Sequence, residues 1–317
     1  MMENTISTGI KLVVIIPAYN EEETIERVIK EIPRDIKSVD KVEVLVVDDG
    51  SRDKTLEEAK KAGADRVISH KKNLGLGVTF RDGLEEALKM GADIIVNIDA
   101  DFQYNAKEIP KLAEPIINGK ADIVLGDRQI DKLEHMPLSK KFGNKIATWV
   151  VRRLTGLPIR DAQTGFRAFS RDAALRMNLT GDYTYVQETL IQAANKGLKI
   201  EQIPVEFRKR EGKSRLITNI FQYAKYAGLN IIKSYRDYRP LKVFTTIGVA
   251  IILIGLIFGI RVLIDFFTIG KVAHLPSAVL TTVLIVVGLL VIIFGLLADM
   301  LKTQRILLEE ILYRMKK

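Results

Sequence analysis

Two stretches near the carboxyl end, Val243 to Ile260 and Val272 to Ala298, contain no Asp, Glu, Lys or Arg. Each comes to the roughly 20 apolar residues that cross a bilayer, so this part of the chain is expected to form two membrane-spanning helices. Arg261 and Asp265 follow closely on the first, which makes it the weaker of the two. The loop between them, TIGKVAHLPS, carries one Lys, whereas both flanks are rich in Lys and Arg. That bias places both ends of the pair in the cytoplasm and the loop outside. Gly255 and Gly259 form a GxxxG pair, either a packing contact or a chance spacing. The tail, LKTQRILLEEILYRMKK, reads as an amphipathic helix that lies on the membrane or pairs with a second copy in a homo-oligomer.

Net charge is +9, and ten Lys/Arg against two acids (Glu211, Asp237) fall between Phe207 and Lys242. This basic collar abuts the apolar spans, which favours an anionic membrane surface or lipid head over nucleic acid as its partner. Apolar residues from Leu216 to Tyr238 recur at roughly helical spacing with Lys225, Lys233 and Arg236 between them. That segment is either a helix in the membrane interface or a core helix of the soluble part. There are no cysteines, which excludes disulfides and thiolate metal sites. The three histidines (His70, His135, His274) are scattered, so hard oxygen ligands would have to hold any metal. At the amino end, Leu12 to Ile16 is too short for a signal peptide and reads as a strand.

From Lys11 to Ala121 apolar, β-branched runs (KLVVIIP, KVEVLVVDD, DRVISH, DIIVNIDAD) alternate with helical patterns over Glu21 to Glu31, Asp53 to Ala62, Gly77 to Met90 and Ala106 to Asn118. ADIVLGDR supplies a fifth strand. This alternation predicts an α/β fold with a doubly wound sheet of buried parallel strands. Beyond Pro137 the spacing predicts helices over Ile146 to Leu154, Asp172 to Met177 and Val186 to Lys196, a GFRAF strand, and a strand pair in KIEQIPVEF. Ligands of such sheets bind beyond the carboxyl ends of the strands.

Polar residues gather at those ends. Asp99-Ala100-Asp101 is either an ordinary acidic strand end or a pair of carboxylates that holds a divalent cation against a diphosphate. Asp48-Asp49-Gly50-Ser51, with Asp53 after it, is either a plain capping motif for the next helix or a second acidic cluster that leaves a carboxylate for a nucleoside. Pro17-Ala18-Tyr19-Asn20-Glu21 adds an aromatic ring and an acid at a third end. Asn73-Leu74-Gly75-Leu76-Gly77 is a glycine turn or a close backbone approach to ligand; it is neither a Walker loop nor a Rossmann fingerprint.

PAYNEE, VVDDGSRD, NLGLG, NIDADFQY and DAQTGFRAF, in that order over about residues 10 to 216, resemble family-two inverting glycosyltransferases of glycosyltransferase-A fold. Within that family they look most like dolichol-phosphate mannose synthases and bacterial polyprenyl-phosphate glucosyltransferases. The resemblance implies transfer of a hexose (mannose, glucose or N-acetylglucosamine) from a GDP- or UDP-sugar to a dolichyl or polyprenyl phosphate, with Mg2+ or Mn2+. It places Pro17, Tyr19, Glu21, Val47 and Asp49 at the nucleoside, and Asp99, Ala100 and Asp101 at the diphosphate. The metal would fall to Asp101 and Gln103 with Asp99, and Arg128 matches an arginine near the donor and acceptor phosphates. REGKSRL resembles a loop that closes over the donor, with Lys209 or Arg210 and Arg215 in its cationic positions. Between Arg128 and Asn144 the chain departs from the family pattern, leaving Ser139, Lys140 and Lys141 as candidates for the lipid phosphate.

The expected organisation is a cytoplasmic catalytic domain over 1–210, a donor loop with interfacial helix over 211–240, two spans over 241–300 and a tail over 301–317. A phosphate monoester acceptor is already an oxyanion, so no strong base is needed; Glu188 is the base if one is used, or an ordinary helical Glu. A processive polysaccharide synthase is a competing reading, but the single Trp, Trp149, lies in IATWV, without the Gln/Arg-x-x-Arg-Trp motif of such enzymes. An inactive membrane scaffold is another, opposed by the intact DAD and Gln103.

Overall fold

Leu12 to Ile16 is an unbroken apolar run because both faces of its strand are buried. Leu12, Val14 and Ile16 join one hydrophobic cluster, while Val13 and Ile15 join a second. The same alternation divides Val44 and Val46 from Leu45 and Val47 in the next strand. These strands belong to a computed structural model that describes residues 9–134, 136–179, 185–209, 240–271 and 274–316. The chain divides into two units, Met1–Ile231 and Ile232–Lys317.

In the first unit seven strands form one sheet: β1 (Lys11–Ala18), β2 (Lys41–Asp48), β3 (Arg66–Ser69), β4 (Ile94–Asn97), β5 (Ile123–Asp127), β6 (Arg167–Ser170) and β7 (Ile200–Pro204), in the order β3-β2-β1-β4-β6-β5-β7. α1 (Ile25–Glu31), α2 (Thr55–Lys61) and α4 (Ile109–Ile117) cover one face with Ile25, Val28, Ala59 and Leu112. α3 (Leu76–Lys89), α6 (Arg171–Arg176) and α7 (Val186–Asn195) cover the other with Phe80, Leu84, Ala173 and Leu190. α5 (Leu138–Thr155) adds Val151 to that second cluster and is eight residues longer at its start than its periodicity predicts.

The sheet departs from the expected all-parallel pattern at β6, which runs antiparallel between β4 and β5. Its cause is the path of the chain, which returns into the sheet from the loop at 161–166 on the edge where β5 ends. The register pairs Asn97 with Arg167, so that loop lies alongside the end of β4. KIEQIPVEF is not a strand pair. It is β7, parallel to β5, followed by a single antiparallel bridge between Tyr104 and Phe207.

The second unit contains α8 (Pro240–Ile269) and α9 (Leu275–Lys316), both long and apolar enough to cross a membrane. They pack antiparallel at glycines seven residues apart. A Cβ at Gly248 would fall 2.7 Å from the Gly288 carbonyl, and one at Gly295 would fall 2.7 Å from the Phe244 side chain. Gly255 joins this seam against Leu284, and Gly259 meets Thr281. Small residues let helix backbones approach where lipid offers no hydrophobic driving force. The tail is no separate helix, since α9 runs unbroken through it to Lys316. The segment from Leu216 to Tyr238 lies outside the described residues.

Candidate active site

Four strands end on one edge of the sheet, and each turns away through a left-handed residue. Asn20 (φ 54°) follows β1, Gly50 (φ 71°) follows β2, Phe102 (φ 60°) follows β4 and Gln129 (φ 48°) follows β5. Among the described residues only one other non-glycine, Ser38, has a positive φ. Such backbone is uncommon for L residues and clusters where structure has been set aside for function. At Gly50 any side chain would also collide with the main chain of Lys72, 2.6 Å from an added Cβ.

The first two loops are sewn together. Asn20 donates its N–H to Ser51 Oγ (2.9 Å) and accepts from the Arg52 N–H (2.8 Å), while the Glu21 N–H donates to Thr55 Oγ1 (2.8 Å). The Glu21 carboxylate accepts from Thr24 Oγ1 (3.2 Å). Tyr19 and Glu21 are half-buried at the edge, whereas Pro17 and Val47 are register partners inside the sheet. Val47 is fully buried, with its side chain against α3.

The Asp48-Asp49 pair is hydrogen-bonded within the fold. Asp48 accepts from the Ser51 N–H (3.1 Å) and Ser69 Oγ (2.7 Å). Asp49 accepts from the N–H groups of Leu74 (2.8 Å) and Gly75 (2.9 Å) and meets His70 Nδ1 at 2.8 Å. The other nitrogen of His70 meets Asp82 at 3.1 Å. Both acids are buried, and a buried carboxylate collects donors for the physical reason that losing water is costly otherwise. Asp49 therefore shapes the NLGLG turn, and His70, which reads in sequence as an isolated histidine, is locked between two carboxylates.

At the end of β4, Ala100 is buried while Asp99, Asp101 and Gln103 are half-buried. Asp101 accepts from the Gln103 N–H at 3.1 Å. The Gln103 amide nitrogen donates to the Arg208 carbonyl (3.3 Å), and the Arg208 N–H donates to the Gln103 carbonyl (2.7 Å). Arg208 also grips Glu31 through both terminal nitrogens (3.1 and 2.9 Å). Phe102 lies between the guanidiniums of Arg27 (4.0 Å) and Arg208 (4.6 Å). No three described His, Cys, Asp or Glu gather into a closed metal site. Asp99, Asp101 and Gln103 carry hard oxygen donors on this one strand end, the ligand type that suits Mg2+ or Mn2+ with phosphate and water completing the shell.

The wall beside this loop is a buried polar network. Arg128 donates from Nε (2.6 Å) and Nη2 (2.9 Å) to the two oxygens of Asp161, and lies 5.2 Å from the Phe207 ring. Burial works against the Arg128 charge, but Tyr104, Asp161 and Asp99 outweigh it and hold its pKa above the ordinary value. Burial likewise pushes Asp161 up, and Arg128 overcomes this and holds the carboxyl below its usual range. Tyr104, pushed up to about 12 by burial, meets Thr164 Oγ1 (3.3 Å) and accepts from the Gly165 N–H (3.0 Å). A Cβ on Gly165 would fall 2.6 Å from the Asp99 carboxylate, so only glycine lets that acid sit there. Asn97 Nδ2 donates to the Gly165 carbonyl and to Tyr185 Oη, both at 2.8 Å. Arg167, fully buried and lowered to about 10 by that burial, donates to the carbonyls of Ala162, Thr164 and Val186 and to Thr189 Oγ1.

Arg128 was flagged by sequence, but Asp161, Tyr104, Arg167 and Tyr185 were not, although DAQTGFRAF contains two of them. Glu188 is buried and accepts from Gln192 within its own helix (3.2 Å). Ser139 and Lys140 stand exposed on the first turn of α5, where Lys141 reaches the Asp131 carbonyl (3.3 Å). Arg210 and Arg215 lie outside the described residues.

Comparison with known proteins converges on the same edge. The family model for glycosyl transferase family 2 matches residues 13–176, which holds the three carboxylate-bearing strand ends, Arg128 and Asp161. A UDP-N-acetylglucosamine–dolichyl-phosphate N-acetylglucosaminyltransferase of Methanococcus voltae is 34% identical over 248 residues, covering 72% of this chain and 93% of that one. A dolichol-phosphate mannosyltransferase of Pyrococcus furiosus is 32% identical over 258 residues, covering 77% and 70%. A solved structure of glucosyl-3-phosphoglycerate synthase from Mycobacterium tuberculosis, with Mn2+, UDP and phosphoglyceric acid, shares the fold with a TM-score of 0.58 at 23% identity, covering 72% and 78%. The chain belongs to glycosyl transferase family 2, in the group of the dolichol-phosphate mannose synthases.

Proposed function

We propose that this transferase moves a hexose or N-acetylhexosamine from a GDP- or UDP-sugar to a polyprenyl or dolichyl phosphate, with inversion, at the cytoplasmic face of a membrane. One observation carries the reading: a single sheet edge bears two half-buried carboxylates, Asp99 and Asp101, together with a guanidinium, Arg128, that is fixed by Asp161 and feels the Asp99 charge. Relatives named as dolichyl-phosphate transferases support the acceptor, and the two long apolar helices support a membrane setting.

A divalent cation held by Asp101 and Gln103 with Asp99 would supply positive charge to the departing nucleoside diphosphate. Arg128 is aimed rather than loose, because Asp161 takes Nε and Nη2 and leaves the Nη1 side of the fork to meet a phosphate. The pair is close to neutral overall, so it adds a directed donor without repelling a cation nearby. Pro17, Tyr19, Glu21, Val47 and Asp49 border the nucleoside in this reading, with Asp49 also holding the turn at Leu74 and Gly75. Arg210 and Arg215 would close over the donor, with Ser139 and Lys140 at the lipid phosphate.

The acceptor phosphate has a second pKa of about 6 and is already an oxyanion at neutral pH. It attacks C1 without a strong base, which fits a Glu188 committed to Gln192 inside α7. NMR of the product made from an α-linked donor tests the stereochemistry, where a β anomer supports this reading and an α anomer overturns it. Orientation is tested in the cysteine-free chain with single Cys substitutions: a label applied outside cells should reach His274→Cys but neither Ser51→Cys nor Lys316→Cys. The reverse pattern overturns the cytoplasmic placement.

A further inference from the structure

Phe102 stands in left-handed backbone (φ 60°), a conformation that a side chain of its size rarely adopts. It lies between Asp101 and Gln103, so whatever fixes its backbone also fixes the spacing of those two residues. Glycine would make the same turn without strain, so the reason for a phenylalanine lies in what its ring touches. The ring packs against the hydrophobic cluster beneath α1, with the Arg27 guanidinium 4.0 Å and the Arg208 guanidinium 4.6 Å from its centroid. Arg27 and Glu31 are four residues apart on α1 and so share a face of it. Glu31 takes both terminal nitrogens of Arg208 (3.1 and 2.9 Å) and also accepts from the Ala106 N–H (3.1 Å), just beyond the loop. Arg208 in turn bonds Gln103 through its main chain, donating at 2.7 Å and accepting at 3.3 Å. It thus fastens the loop twice, at the Phe102 ring and at Gln103, and is itself fastened to α1.

We propose that Phe102 and Arg208 are positioning residues for the divalent cation: the Arg27–Phe102–Arg208 stack presets the loop between Asp101 and Gln103, so that neither residue touches the ion yet both govern its affinity. The proposal rests on the reading that Asp101 and Gln103 hold that ion. A loop ordered during folding binds more tightly than one that must be ordered on binding, since the entropy loss has already been met. Strained backbone persists only where its surroundings over-determine it, and here a ring contact from each side and two main-chain hydrogen bonds do so. Glu31 offsets the charge of Arg208, which would otherwise repel a cation at the neighbouring acids.

Mn2+ is titrated into the full-length protein in detergent with UDP and, separately, with GDP, and the free-ion signal is followed by electron paramagnetic resonance. Partners beyond the ligands are worth about 10–100-fold in metal affinity. Phe102→Gly keeps the turn and removes the ring, so Mn2+ binding should weaken on that scale while the melting temperature stays near that of the unsubstituted protein. Arg208→Met should weaken binding similarly from outside the loop, whereas Phe102→Tyr, which keeps a ring face, should bind almost normally. Unchanged Mn2+ affinity in folded Phe102→Gly and Arg208→Met overturns the clamp and leaves Phe102 as core packing. Should Phe102→Gly fail to fold, the affinity of Arg208→Met decides alone. Asp101→Asn separates this proposal from the reading beneath it: normal Mn2+ binding in that variant overturns the metal assignment, and the clamp with it.

Discussion

The β1–β4 half of the sheet and the β5–β7 half build their share of the site in different ways. In the first half the strand interiors are mostly apolar, Asn97 being a buried exception, and most polar groups come where the strands stop, as in Ile98 followed by Asp99. In the second half the polar groups are inside: Arg167 is within a strand and fully buried, and Arg128 and Asp161 form an ion pair with little exposure. In the first half the loops bond one another, Ser51 and Thr55 accepting from the Asn20 and Glu21 amides and Asp49 from those of Leu74 and Gly75. The second half gains fixed geometry at the cost of burying charge. An acid of the first half should therefore be replaceable without unfolding the protein, whereas removing one partner of the Arg128–Asp161 pair should be costly.

The sharpest way to break that comparison is at its two extremes. Asp101→Asn should cut kcat by about 10²–10³-fold or more, the scale of losing one electrostatic contributor, with an unchanged melting temperature. A large loss of stability would erase the distinction between the halves. Asp161→Asn should cost about 3–5 kcal/mol, because Arg128 is left buried without its partner. Arg128→Met with Asp161→Leu should recover most of that stability in urea melts yet remain inactive. Because the Asp161 carboxyl is held below its ordinary 3.8, the pair stabilises fully above that value and its contribution fades as pH falls through the lowered one. Acid denaturation of Asp161→Asn should therefore lack that share of the acid-side decline.

Where the halves meet, Gly165→Ala should cost about 1–3 kcal/mol from overpacking, since its methyl group would fall 2.6 Å from the Asp99 carboxylate. Its turnover should fall further than its stability, and equal falls in both would show that Asp99 is only a packing residue. His70→Phe should have the smallest effect, about 0.5–1.5 kcal/mol for hydrogen bonds lost, with a raised KM for donor and nearly unchanged kcat. Asp49 would still hold Leu74 and Gly75. A collapse in kcat would move His70 from the support of the turn to the chemistry.

Sequence reading divides along the same line. Strand ends in the first half were legible because an apolar run breaks sharply at a carboxylate, as at Asp48 and Asp99. What these acids bond to was not legible: Asp49 closes on Leu74 and Gly75 more than twenty residues away. β6 was legible as a strand but not in direction, since orientation depends on the path of the loop before it. The start of α5 was missed because Leu138 and Phe142 are apolar residues without a buried partner, so the pattern seemed to begin only at Ile146. The seam of α8 and α9 was legible only in part, for the GxxxG pair drew attention from the seven-residue spacing of Gly248 and Gly255 against Gly288 and Gly295.

The central claim is that two anions, a nucleotide-sugar and a lipid phosphate, meet at this edge. It is tested by incubating the full-length protein with GDP- and UDP-sugars and short polyprenyl phosphates, followed by mass spectrometry of the lipid. The account predicts that one donor adds a single sugar residue to the lipid phosphate, and that the product disappears in excess EDTA and with Asp101→Asn. A soluble sugar acceptor glycosylated as well as the prenyl phosphate, or full turnover in EDTA, would contradict it.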